Sequence, residues 1–127
     1  MIKAVIFDCF GVLVGQEWNE ELLRYMRVNL EGKYKLGLLS NVATGGAVDE
    51  LGIFDDIVLS GEVGLQKPDP RIYELAVERL GVSLEECVFV DDSVGNVDVA
   101  ESLGMRGIVY EDFEGFVKEF ERIIGNE

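Results

Sequence analysis

Five short runs of Val, Ile, Leu and Phe punctuate the chain at residues 2–7, 35–39, 56–59, 87–90 and 106–110. Each is too short and too continuously apolar for the in–out alternation of a half-exposed antiparallel strand, and so predicts a parallel strand buried on both faces. Between the runs the apolar spacing becomes helical. Trp18, Leu22, Tyr25, Met26 and Leu30 fall on one helical face before Gly32, Ile72, Leu75, Ala76 and Leu80 precede Gly81, and Val97, Ala100 and Leu103 precede Gly104. Each glycine stands where a helix can close in a left-handed conformation. In the last segment Phe113, Phe116, Val117, Phe120, Ile123 and Ile124 recur on a single face, an aromatic stripe that predicts core contact.

Start signals agree with these stops. Asp69 with Pro70 predicts an N-cap and first helical position, Ser83 with Glu86 fits a capping box, and a short helix is expected near 47–51. Strands alternating with helices predict one α/β domain over residues 1–127. The expected fold is a three-layer, doubly wound (Rossmann-like) sheet of five parallel strands with helices on both faces, binding ligands beyond the carboxyl ends of the strands.

Composition then removes whole classes of function. The 127 residues are 48% apolar and 28% charged, ordinary for a globular chain, but the formal charge is −14. Such a field repels nucleic acid and anionic membranes, and eleven Lys and Arg are too few for a basic patch. No apolar run approaches the roughly eighteen residues of a membrane span, which predicts a soluble, cytoplasmic protein. Cys9 and Cys87 lie in or beside strand-like runs and read as packing residues. The chain has no histidine, so any catalysis must run on carboxylates, lysine or metal.

Placing the strand ends at one edge gathers the candidate chemistry. Asp8 and Phe10 follow the first strand, Ser40 and Asn41 the second, and Asp91, Asp92 and Ser93 the fourth, with Lys67 in reach before a helix start. Three carboxylates in one crevice are costly without a cation, and an oxygen-only set suits Mg²⁺, which in turn invites a phosphoryl group.

These residues resemble the haloacid dehalogenase superfamily, mostly Mg²⁺-dependent phosphohydrolases that work through an aspartyl-phosphate. "IFDCFGVLV" is similar to its first motif, which implies Asp8 as nucleophile and the Phe10 carbonyl as a metal ligand. "LGLLSNVA" resembles the second, with Ser40 and the Asn41 amide holding phosphate. "GLQKPDPRIYELAVERLGV" resembles the third, in which Lys67 neutralises phosphate and the attacking carboxylate. "VFVDDSVGNVDVAESLGM" resembles the fourth, implying Asp91 and Asp92 as Mg²⁺ carboxylates supported by Ser93 and Asn96. A response-regulator receiver domain also has a phosphorylated Asp, an acidic pair and a Lys, but its pair follows the first strand, whereas here the pair follows the fourth.

Two departures modify what the resemblance implies. Family phosphatases usually carry a general-acid Asp where this chain has Phe10, and losing such an acid costs about 10²–10⁴-fold, most for poor leaving groups. The expectation is therefore a weak hydrolase favouring acyl or aryl phosphates. The alternative is a catalytically impaired relative that binds phosphate, metal or a protein partner. Secondly, residues 14–35 leave room for one helix rather than a cap domain, which implies large substrates or a site covered by a neighbouring subunit of a homo-oligomer.

Overall fold

The computed structural model describes residues 1–42 and 46–127; Ala43, the last residue of the second motif, lies outside them. Strand β1 (Ala4–Phe7) leads through a loop to helix α1 (Glu20–Tyr25), which ends in a π-helical turn (Met26–Leu30). Next come β2 (Lys35–Ser40), a 3₁₀ turn (Gly46–Leu51), β3 (Asp56–Leu59), a one-turn α2 (Ser60–Val63) and α3 (Pro70–Leu80). A 3₁₀ turn (Leu84–Glu86) enters β4 (Cys87–Asp91), followed by α4 (Val94–Ser102), β5 (Arg106–Val109) and α5 (Phe113–Gly125).

The strands form one sheet in the order β3-β2-β1-β4-β5, every neighbouring pair parallel. The chain begins mid-sheet and winds outward in one direction, then the other, so the strand order reverses between β1 and β4. A crevice opens at the carboxyl ends of those two strands, the usual ligand position in open α/β sheets. Both are wholly buried, as their unbroken apolar runs predict, whereas β3 and β5 at the edges are partly exposed.

Alternation along β1 sorts the core into two layers. Val5 and Phe7 pack with Leu22, Met26, Phe116 and Phe120 of the α1 and α5 layer, and Ala4 and Ile6 pack with Ile72, Tyr73, Ala76 and Ala100 of the α3 and α4 layer. Phe116 anchors the aromatic stripe, its ring about 6 Å from those of Phe7, Tyr25, Tyr110 and Phe120. Cys9 and Cys87 are free, buried thiols.

Local signals mostly place the helices correctly. Asp69 caps α3 by accepting from the Arg71 amide, Pro70 is its first residue, and Gly81 closes it at φ 75°. The Ser83–Glu86 box is formed, but around the 3₁₀ turn before β4 rather than a full helix. Trp18 does not lie on the first helix: Asn19 is its N-cap, and Trp18 pairs with Val14 in the preceding loop. Asn19 fixes that loop, donating to the Val12 carbonyl and the Tyr110 hydroxyl while accepting from the Leu22 amide. Between β1 and β2 only this loop, α1 and the π turn intervene, leaving no room for a cap there. No helix of the described residues is long and apolar enough to cross a membrane.

Candidate active site

Phe7 of β1 lies opposite Val90 of β4, so the next residues of the two strands emerge side by side at the carboxyl edge. They are Asp8, whose amide donates to the Val90 carbonyl at 2.9 Å, and Asp91. Both are buried, and a buried carboxylate demands a counter-charge. Lys67 serves both: its Nζ donates to Asp8 Oδ1 at 3.0 Å and to Asp91 Oδ2 at 2.8 Å, and sits 5.8 Å from the centre of the Phe89 ring.

A lysine on the loop between α2 and α3 reaches this point because Asn41, just past β2, clamps its backbone. The Lys67 amide donates to Asn41 Oδ1 at 2.8 Å, and Asn41 Nδ2 donates to the Lys67 carbonyl at 3.0 Å. Ser40, the buried last residue of β2, lies at the same edge. Asp91 accepts two further bonds, from the Ser93 amide at 2.9 Å and Asn96 Nδ2 at 3.2 Å. Ser93 caps α4 by accepting from the Asn96 amide, and the Tyr73 hydroxyl donates to the Asn96 carbonyl at 2.9 Å.

Asp92 differs from its neighbour in being exposed. Gly11 backs its carboxylate so closely that a Cβ built on the glycine would lie 2.2 Å from Asp92 Oδ2, and the glycine also holds φ +86°, a conformation other residues adopt only under strain. Gly11→Ala is therefore expected to displace Asp92 and to cost about 1–3 kcal/mol. A urea titration giving wild-type stability would contradict that packing.

The charge balance is unequal. Burial pushes Asp8 up to about 6, with Lys67 holding it down and the Asp91 charge adding to the rise. Against the cost of its own burial, Asp91 is kept below the ordinary carboxylate range by the Lys67 charge and its bonds from Lys67, Ser93 and Asn96. Asp92 is raised, by burial first and then by the adjoining Asp91. Three carboxylates against one ammonium leave two negative charges, which one divalent cation would neutralise. One oxygen from each of Asp8, Asp91 and Asp92 can be chosen so that all lie within 4.8 Å of one another. Ligands on an octahedron of roughly 2.1 Å radius stand about 3 Å apart when adjacent and about 4.2 Å when opposite, so this oxygen-only set is compatible with Mg²⁺ after small side-chain adjustments.

Asp8, Lys67, Asn41, Asp91, Ser93 and Asn96 thus form one hydrogen-bonded unit with Asp92 beside it. Phe10 stands apart: its side chain is 59% exposed, and the Gly11 amide donates to the Val14 carbonyl to close the turn beneath it. The Asn41 clamp, the Tyr73 support and the Gly11 contact were not expected from the sequence. Gly11 carried a signal, a glycine three residues after a strand-end acid, whereas Asn41 and Lys67 are 26 positions apart and their bond has no local signature.

A doubly wound α/β fold with an acid–lysine centre at its switch point defines the class of protein. A family model for haloacid dehalogenase-like hydrolases matches residues 20–104, a span that includes Asn41, Lys67, Asp91 and Asp92 and begins after Asp8. The chain belongs to this family. It is 30% identical over 110 residues, 82% of its length, to drimenol cyclase drtB of Aspergillus calidoustus, and 39% identical over 79 residues, 57% of its length, to a phosphatase of Mycobacterium tuberculosis. It spans only 21% and 36% of those two relatives. Among solved structures, an uncharacterized protein of Corynebacterium glutamicum is similar at TM-score 0.84 and 30% identity, with 98% of this chain and 96% of that one covered. A HAD family enzyme of Bacteroides thetaiotaomicron, solved as a magnesium complex, is similar at TM-score 0.64 and 28% identity, over 77% of this chain and 55% of that one.

Proposed function

We propose that this chain is a Mg²⁺-dependent phosphohydrolase acting through an aspartyl-phosphate on Asp8. The observation that carries the reading is the Lys67 ammonium bonded to Asp8 and Asp91 at once, beside the exposed carboxylate of Asp92. The phosphatase and magnesium-bound relatives support it. Asp8, Asp92 and the Phe10 carbonyl would hold the cation. Asp91 also belongs to the acidic set, but its carboxylate already serves Lys67, Ser93 and Asn96. When bound, Mg²⁺ supplies positive charge to the phosphoryl oxygens.

The protein's own groups account for the rest. An Asp8 carboxylate oxygen attacks phosphorus, the bond from phosphorus to the leaving oxygen breaks, and the electron pair departs on that oxygen. Lys67 holds Asp8 in place and faces the incoming phosphoryl group, with Ser40 and the Asn41 amide as further donors. Water then attacks phosphorus, releasing inorganic phosphate and regenerating Asp8. The leaving oxygen needs a proton unless it is a stable anion, and Phe10 has none to give. Acyl and aryl phosphates are accordingly the favoured substrates, and residues 1–127 form one core domain whose site is covered by a large substrate or a neighbouring subunit.

Steady phosphate release from an acyl phosphate with Mg²⁺, absent in Asp8→Asn, is the expected result. An Asp8 adduct seen by intact mass without release would place the defect in the water step, and neither adduct nor release would overturn the proposal. The same Phe10 supports a second reading, a fold that binds phosphate, metal or a protein but turns over nothing. Phe10→Asp separates the two. Restoring the acid is expected to raise turnover of alkyl phosphates by about 10²-fold or more, whereas no gain on any alkyl or aryl phosphate favours the binding reading.

A further inference from the structure

The rim of the crevice has a chemistry that the acid–lysine centre does not use. Phe10 and Val94 are each 59% exposed, and of the four exposed large apolar residues described, with Met1 and Val28, they are the two at the carboxyl edge of the sheet. One follows β1 and the other β4. Gly11, which follows Phe10, packs directly on Asp92, and Val94 lies two residues beyond Asp92 at the first position of α4. Two exposed apolar residues therefore stand, along the chain, beside the contact that backs the exposed carboxylate.

Charge on the same edge points the same way. Among the described residues, Lys67 is the one cation on the connections that leave the carboxyl ends of the strands, and it is already bonded to Asp8 and Asp91. Glu17, Glu62, Glu111 and Asp112 lie on those connections too. Arg71, in the first turn of α3 at the same edge, is already paired with Asp69 at 2.7 Å. A second anionic group on a substrate would meet, at this edge, several carboxylates and no unpaired cation among the described residues, a repulsion that raises the cost of binding.

Resting on the phosphohydrolase reading, we infer that the site selects phosphoryl compounds whose remaining part is uncharged and apolar, the hydrocarbon of an acyl or aryl phosphate lying on Phe10 and Val94. The contact would remove apolar surface from water on both sides.

Calorimetric titration in Mg²⁺ with three non-hydrolysable ligands tests this without turnover: methylphosphonate, hexylphosphonate and 3-phosphonopropionate. Hexylphosphonate is expected to bind about tenfold more tightly than methylphosphonate, the gain from burying roughly two methylenes, and 3-phosphonopropionate more weakly than either. Phe10→Ser and Val94→Ser change exposed side chains, and each is expected to bring the hexyl-to-methyl ratio towards one. Equal affinity for the hexyl and methyl ligands, or a preference that survives both substitutions, would overturn the apolar subsite and leave the phosphohydrolase reading standing. No saturable binding of any phosphonate would overturn the phosphoryl site itself and the inference with it.

Discussion

Asp8→Asn is expected to reduce phosphate release from an acyl phosphate by at least about 10³-fold and to abolish the phosphoryl adduct, while leaving the fold intact. Asparagine keeps the volume of the side chain and an oxygen for Lys67, but it offers no anion to form the bond to phosphorus. Stability should move the other way. Burial raises Asp8 in the folded protein to about 6 from 3.8, so the folded state binds its proton more tightly than the unfolded chain. The metal-free wild type therefore loses stability as pH rises from about 4 through 6. The asparagine variant lacks that loss, and its thermal midpoint without Mg²⁺ at pH 7–8 is expected to equal or exceed that of the wild type. Residual turnover within tenfold of wild type would remove Asp8 as the attacking group.

Lys67→Met carries the largest expected effect on stability. Methionine is unbranched and one atom shorter, filling most of the buried volume, but it removes the ammonium over the Phe89 ring and leaves Asp8 and Asp91 facing each other without a cation. Removing one partner of a buried charge network costs about 3–5 kcal/mol, because the remaining charge is stranded. Urea denaturation at pH 7 should show a loss of that order. The deficit should shrink on acidification: without the ammonium both carboxyls have folded pKa values above their unfolded ones, so the stability present at low pH is lost as pH rises through the folded values. Added Mg²⁺ should restore part of it through Asp8 and Asp92. A loss below about 1 kcal/mol at pH 7 would mean that the two carboxylates do not depend on Lys67.

Both predictions rest on residues that stood out in the sequence, yet for different reasons. Asp8 was legible because an acid ending a buried apolar run has few bland explanations. Lys67 was not, since a lysine before a proline is ordinarily a solvated loop residue, and only the order of motifs raised it. Asn41 was expected to offer its amide to phosphate. Its side chain has a separate task that no local pattern signals: it binds the backbone of Lys67, a partner fixed by how the loop before α3 folds over β2. The local helix signals divided similarly: Asp69, Pro70 and Gly81 marked α3 correctly because caps act within one turn, while Trp18 fell off the helix because Asn19 found Val12 and Tyr110.

By itself, the sequence determined the five parallel strands, the longer helices between them and the acids at the carboxyl edge of the sheet, but not α2 or the π and 3₁₀ turns. What it determined follows from periodicity and burial, which repeat within a few residues along the chain. Only the tertiary structure decided that Asp91 is buried and fully engaged while Asp92 turns outward, that Gly11 backs Asp92, and that Phe10 and Val94 are left exposed. Adjacent residues on one strand end point to opposite sides, and which of them meets the lysine depends on a register and a loop that no local pattern encodes.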